Sequence, residues 1–397
     1  MKKLLLFVSA FVLFFSLGNT EVKAADTFRI AMITDSGTID DESFNQGTWE
    51  GIVEFATDNS ISYKYYKPGE VSDTAYLAAI DLAVAGGAEV VVTPGFLFET
   101  SVYAAQTTYP NVKFILIDGT PHTADYSTFL VADNTLSILF NEHESGFLAG
   151  YAAVKDGFTK LGFTGGMAVP AVVKFGVGFV AGAFYAAEEM DVEIELGNDR
   201  YHYFGDFGPS DEHKNLASSW YVSGTEVIFS AAGGAGSSVM AAAADNNKDM
   251  IGVDIDQAGQ SDTVLTSAMK QLGVAVQQGL QGWLDGNFAG GETQSKGAVN
   301  DGVALPMDTS RFSTFDQAAY DAIYAKLVDG TVTVPADYAG LVTFLGDDVT
   351  GYPEQWAIEG TDEPADEDGG NNTTLFIVLG VVAAAAIGGY VVYSKRK

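Results

Sequence analysis

Short apolar runs alternate with longer amphipathic stretches along most of this chain. The first run, 28–33, ends in an acid-rich, glycine-containing loop, 35–42, after which a helix is predicted to open at Ser43 or Asn45 with Trp49, Ile52, Val53 and Phe55 on its apolar face. Strands are predicted at 61–66, 89–93 and 113–118, and helices at 74–85 and 98–108. After a joint near 133–142 the rhythm resumes, with helices at 141–154, 170–189, 210–221 and 237–244. The strands between them are 160–165, then either 193–196 or 201–204, then 227–231 and 250–254. A strand at 263–267 and helices at 274–284 and 315–327 complete the pattern. Short strands separated by helices indicate parallel sheets with crossover connections. Two such series predict an α/β fold of two doubly wound lobes, with a ligand cleft beyond the carboxyl ends of the strands. The chain is expected to cross between lobes more than once, giving lobe 1 residues 26–140 and 257–305 and lobe 2 residues 141–256 and 306–356.

The two ends follow other rules. Lys2 and Lys3, the apolar stretch 4–17 and Val22-Lys23-Ala24 read as a secretory signal over 1–24. Residues 375–393 form a continuous apolar run long enough for one membrane helix, and the basic tail 394–397 predicts a cytoplasmic end. The segment 357–374 is acidic and lacks the apolar residues of a core, so it is expected to be a flexible stalk. The expected arrangement is a cell-membrane protein with one span and an extracellular domain of roughly 330 residues, a size that suits two lobes.

Composition narrows the chemistry. With no Cys there are no disulfides, no thiolate metal sites and no lipidated cysteine. A net charge of −32 argues against nucleic acid or anionic lipid as partner. His122, His143, His202 and His213 are scattered without metal spacing, and Ser43 lacks a nucleophile elbow. Asp245, Asn247 and Asp249 imitate a calcium loop, but Met250 stands where its glycine belongs. No enzyme activity, metal or cofactor is expected. What remains suits binding. Asp254 and Asp256 end a strand where carboxylates can accept from a diol. The turn 233–236 resembles an anion cradle without its full spacing and equally serves as a plain strand-to-helix turn. Phe44 and Phe175 lie at helix starts, where a ring can face a flat ligand or simply fill the core.

The run from Thr34 to Gln46 (TDSGTIDDESFNQ) is similar to the signature of the basic-membrane-protein (BMP) family of bacterial ABC-transporter substrate-binding proteins, which includes purine nucleoside receptors. Matches continue in order. They are Phe140-x-x-x-Glu144-x-x-Phe147-Leu148-Ala149-Gly150, Gly162-Phe163-x-Gly165-Gly166-Met167-x-Val169-Pro170 and Phe175-x-x-Gly178-Phe179-x-Ala181-Gly182, then Gly252-Val253-Asp254-x-Asp256-Gln257 and Thr266-Ser267-Ala268-Met269-Lys270. The resemblance implies the two-lobed type I periplasmic-binding-protein fold, a nucleoside ligand and a permease partner. It further implies that Asp35 and Asn45 bond the base, Phe44 and Phe175 stack on it, and Asp254 and Lys270 hold the ribose. Asp118 and a backbone amide near Gly234 would line the cleft. Phe179 is the alternative to Phe175, and Asp256 to Asp254. Members commonly carry a lipidated cysteine; here the C-terminal span would replace it. Other readings are a receptor for another small polar ligand such as a monosaccharide, or a sensory surface protein on the same fold.

Overall fold

The computed structural model describes residues 28–346. The expected signal 1–24, stalk 357–374, membrane helix 375–393 and basic tail 394–397 lie outside the described residues.

Two six-stranded sheets organise the described residues. The first has the order β11-β5-β4-β3-β1-β2, from Ile30–Ile33 (β1), Tyr63–Tyr66 (β2), Val90–Pro94 (β3), Lys113–Ile117 (β4), Thr135–Phe140 (β5) and Glu292–Lys296 (β11). All its pairings are parallel. Alternate residues of its central strands face two separate cores, because side chains alternate across a strand. Ile30, Met32, Val90 and Ile115 pack under helices α1 (Phe44–Asp58) and α8 (Leu272–Leu284). Ala31, Ile33, Val91 and Phe114 pack under α2 (Asp73–Ala85) and α3 (Glu99–Thr108). Burial on both faces explains why these strands read as apolar runs without alternation.

The second sheet has the order β12-β10-β9-β8-β6-β7. Its strands are Leu161–Gly165 (β6), Tyr201–Tyr203 (β7), Val227–Ala231 (β8), Asp249–Asp254 (β9), Val264–Lys270 (β10) and the antiparallel edge Val303–Ala304 (β12). Helices α4 (Glu142–Lys155), α5 (Pro170–Met190), α9 (Gln317–Val328) and α10 (Tyr338–Leu345) cover one face. Helices α6 (Asp211–Val222) and α7 (Gly236–Asn246) cover the other. By length and composition α5 could cross a membrane, but most of its apolar stretch is buried and it serves as the central core helix of this lobe.

The packing of α4 on α5 has a specific cause. A Cβ on Gly146 would lie 2.2 Å from the Phe175 carbonyl oxygen, and one on Gly150 would lie 2.1 Å from that of Phe179. Reciprocally, a Cβ on Gly178 would lie 1.9 Å from the His143 oxygen and one on Gly182 2.0 Å from the Phe147 oxygen. Two Gly-x-x-x-Gly pairs therefore let the helix backbones touch, which no larger residue permits.

The expected division into lobes needs two corrections, because 257–270 and the segment 297–305 that carries β12 both belong to the second lobe. Residues 257–305 were assigned to the first lobe, yet β10 pairs in parallel with β9, with Ser267 opposite Gly252 and Ala268 opposite Val253. The link 255–263 has no helix and returns along the sheet face. Gly252 makes this possible: the Gln257 side chain lies against it, taking the Val253 N–H at 3.2 Å, while the Ser267 hydroxyl takes the Gln257 N–H at 3.0 Å. The return to the first lobe falls at Gln271.

Among the described residues the chain thus crosses between lobes three times, at Asn141, at Gln271 and at Gly297. The crossings support one another. Asn141 N–H donates to the Lys296 carbonyl at 2.8 Å, Gln271 N–H to that of Gly302 at 2.9 Å, and Ala298 N–H to Glu144 Oε2 at 2.6 Å.

Candidate functional site

A cavity of about 860 Å³ lies between the lobes at the carboxyl ends of both sheets. All eight residues singled out in the sequence border it: Asp35, Phe44, Asn45, Asp118, Phe175, Gly234, Asp254 and Lys270. Of the two open alternatives, Phe179 is buried among Phe163 and Phe229. Asp256 turns instead to Thr309, whose hydroxyl it accepts at 2.7 Å.

On the first lobe the loop after β1 forms a self-supporting polar cluster. Asn45 Nδ2 donates to Asp35 Oδ1 at 2.9 Å and to Asp41 Oδ2 at 2.8 Å, and Asn45 Oδ1 accepts the Asp35 N–H at 3.3 Å. The Asn45 amide is therefore engaged on both sides, and it holds Asp35 in place. Asp41 caps α1 by accepting the N–H groups of Ser43 at 3.0 Å, Gln46 at 3.1 Å and Asn45 at 3.2 Å. Burial pushes the Asp35 carboxyl above its usual range and the Asp41 carboxyl up to about 6, against these hydrogen bonds.

At the floor the two lobes meet through charge. Asp118, following β4, and Asp254, ending β9, both adopt the left-handed backbone conformation, with φ of 58° and 66°. Aspartate tolerates this region better than most residues, and it turns both carboxylates toward Lys270. The Lys270 ammonium bonds Asp118 Oδ2 directly and lies 3.4 Å from Asp254 Oδ1. It also sits 4.5 Å from the centroid of the Phe44 ring. Burial alone would lower the Lys270 pKa, but Asp118, then Asp254 and Glu142, hold it above its ordinary value. Burial lifts Asp118 up to about 7; Lys270 opposes the rise, and Glu142 and Asp254 add to it. Asp118 Oδ1 is buried and meets no protein donor among the described residues. Such an atom is costly unless something else donates to it.

Cross-lobe hydrogen bonds flank the floor. The Ser43 hydroxyl donates to Asp254 Oδ2 at 2.6 Å, and Gln257 Nε2 donates to the Glu42 carbonyl at 2.7 Å. On the second lobe, the turn at Gly233 and Gly234, the start of α5 and the loop carrying Phe207 form the facing wall. Phe207 is half-buried and lies over Gly166 and Gly233. Phe175, by contrast, is 2% exposed and packs edge-on against Phe229 at 5.8 Å. Phe207, Ser43 and Glu142 were not singled out as site residues. Phe207 lies in an irregular loop without periodicity, and Glu142 and Ser43 act through partners remote in sequence. The calcium-like spacing dissolves in the fold, because Asp245 pairs with Lys214 at 2.7 Å and Asp249 with Arg311 at 2.8 Å.

Two α/β lobes joined by three crossings around a ligand-sized cleft with a few convergent polar groups define a protein of the periplasmic-binding-protein class. Solved structures share the fold. A solute-binding protein of an ABC transporter system from Aeropyrum pernix superposes with a TM-score of 0.61 at 22% identity, covering 83% of this chain and 88% of that one. One from Conexibacter woesei gives 0.63 at 22% identity, covering 78% and 99%. The chain belongs to the Bmp family, described as ABC transporter substrate-binding protein PnrA-like, whose profile matches residues 28–337. Its relatives include the ABC transporter nucleoside-binding protein BmpA of Lactococcus lactis, 30% identical over 341 residues, with 80% of this chain and 92% of the relative covered. Basic membrane protein A of Borreliella burgdorferi is 27% identical over 350 residues, with 87% and 98% covered. The protein is thus an ABC-transporter substrate-binding protein.

Proposed function

We propose that the protein captures a nucleoside, most favourably a purine nucleoside, outside the membrane and passes it to an ABC permease without making or breaking a bond. The observation that carries this reading is the convergence of Asp35, Phe44, Asp118, Asp254 and Lys270 on one cavity. The name of the Lactococcus relative supports the ligand class. Asp35, steadied by Asn45, accepts from the edge of the base. Phe44 covers one face of the base, and Phe207, on the opposite wall, supplies the second ring, with Phe175 forming apolar floor beneath. Asp254 and Lys270 take the ribose hydroxyls, Asp118 Oδ1 accepts one further donor, and a backbone N–H near Gly234 borders the ligand. Lobe closure about the three crossings buries it and presents a joined surface to the permease. Residues 1–24 direct export and 375–393 tether the receptor beside its permease.

Calorimetry of the purified protein against guanosine, adenosine, inosine, pyrimidine nucleosides and free sugars tests this. The expected result is micromolar or tighter binding of a purine nucleoside without added metal. Heat from a monosaccharide alone would overturn it. Phe207→Ala is expected to weaken binding more than Phe175→Leu.

A further inference from the structure

We infer that Glu142 and Lys174, neither of which borders the cavity, are positioning residues that aim the Lys270 ammonium and so set how strongly the cleft distinguishes ligands by their ring hydroxyls. The inference rests on the nucleoside reading for its ligand, but its geometry stands apart. Glu142 opens α4 immediately after the first crossing, and its side chain is 2% exposed. Its Oε2 takes the Lys174 ammonium at 3.1 Å, and its Oε1 lies 3.8 Å from that of Lys270. Lys174 also donates to the Phe140 carbonyl at 3.3 Å, which ties the pair to the last residue before the crossing.

A lysine ammonium carries three donors on a flexible stem, so its direction is decided by its surroundings. Around Lys270 these are Asp118 from the first lobe, Asp254 from β9, Glu142 from α4, and the rings of Phe44, Phe140 and Phe175. Without the charge of Glu142 the ammonium is drawn wholly toward the two aspartates. Glu142 is buried but Lys174 is partly exposed, and an ion pair of this kind is weak as a source of stability, since the cost of desolvating the carboxylate offsets the attraction. Placing one beside the floor lysine therefore calls for another explanation. Lys174 answers the charge of Glu142, which would otherwise be a third carboxylate facing one ammonium. Lys174, followed by Lys270, overcomes burial and holds the Glu142 carboxyl below its usual range, while burial keeps neighbouring His143 neutral. Glu142 in turn helps to raise Asp118.

The test compares the full chain with its Glu142→Gln variant. Nucleoside affinity is expected to fall about tenfold. The 2′-deoxy and 3′-deoxy analogues are expected to lose less, so that hydroxyl discrimination narrows. Burial lifts the Asp118 carboxyl up to about 7, with Glu142 adding to the rise, so wild-type affinity is expected to increase with pH as this group ionises, and in the variant the midpoint is expected to move to lower pH. Should Glu142→Gln fail to fold, Lys174→Gln is read by the same discrimination. A cycle combining Glu142→Gln with Lys270→Met, followed by denaturant unfolding without ligand, is expected to be non-additive. Unchanged discrimination with an unmoved pH midpoint overturns the inference while leaving the proposed ligand class intact. If the wild type binds no nucleoside, the ligand proposal falls and the cycle alone decides: additive losses overturn the coupling.

Discussion

The chemistry at residue scale concerns which polar groups remain uncommitted. Asn45 reads from sequence as a ligand contact, yet its amide is divided between Asp35 and Asp41. Its substitution by Ala is therefore expected to act through a loosened Asp35. Phe44 is half-buried and faces both Lys270 and the cavity. Phe44→Ala is expected to reduce nucleoside affinity at least tenfold, by lost stacking and burial, with the unfolding midpoint nearly unchanged. Calorimetry and thermal melting read these two effects separately. His143 gives a pH signature of its own. Burial, followed by Lys174, lowers its pKa to about 4, with Glu142 opposing. The unfolded chain binds this proton near 6.5, so stability present above that pH is lost as pH falls toward 4, by up to about 3 kcal/mol. Denaturant titrations from pH 7 to 4 are expected to show a shallower decline in His143→Gln. The family resemblance made Asp35 and Asp118 legible from sequence, whereas Asp254 could also be read from its place at a strand end. Glu142 and Phe207 were not, since one depends on partners distant in the chain and the other on a loop path.

At the scale of elements, most helices and central strands followed from apolar spacing, because burial on both faces imposes it. Helix α10, although capped by Asp337, was missed, and the missed strands were those whose identity comes from a neighbour. Strand β11, with the sequence ETQSK, is largely exposed and pairs only with β5. Strand β5 itself fell in the expected joint between units. Strand β10 was recognised but placed in the wrong lobe, since its own sequence does not say which sheet will accept it. The α4–α5 contact yields a prediction at this scale. Gly178→Ala drives a methyl into the His143 carbonyl at 1.9 Å and is expected to cost about 1–3 kcal/mol. Gly259→Ala, where a Cβ would meet open space, is expected to change stability by less than about 0.5 kcal/mol. Chemical denaturation of the two variants side by side checks the contrast.

For the whole molecule the question is how closure is held. Ser43–Asp254 and Gln257–Glu42 join the lobes beside the floor. Removing both donors with Ser43→Ala and Gln257→Glu is expected to speed ligand release about tenfold, with little change in association. Stopped-flow measurement of both rates checks this, and equal release rates would show that these bonds do not secure the closed form.

Lys270 ends β10, and the next residue, Gln271, is a crossing between lobes. The group that anchors the floor of the cleft is thus a direct neighbour of a pivot. Substitutions there alter recognition and motion together, and few can improve one without harming the other. The walls carry no such double duty. Divergence toward new solutes within this scaffold should therefore accumulate at wall positions such as Phe207, leaving the floor as inherited ground. Redesigning the protein as a sensor for a different small molecule would follow the same route.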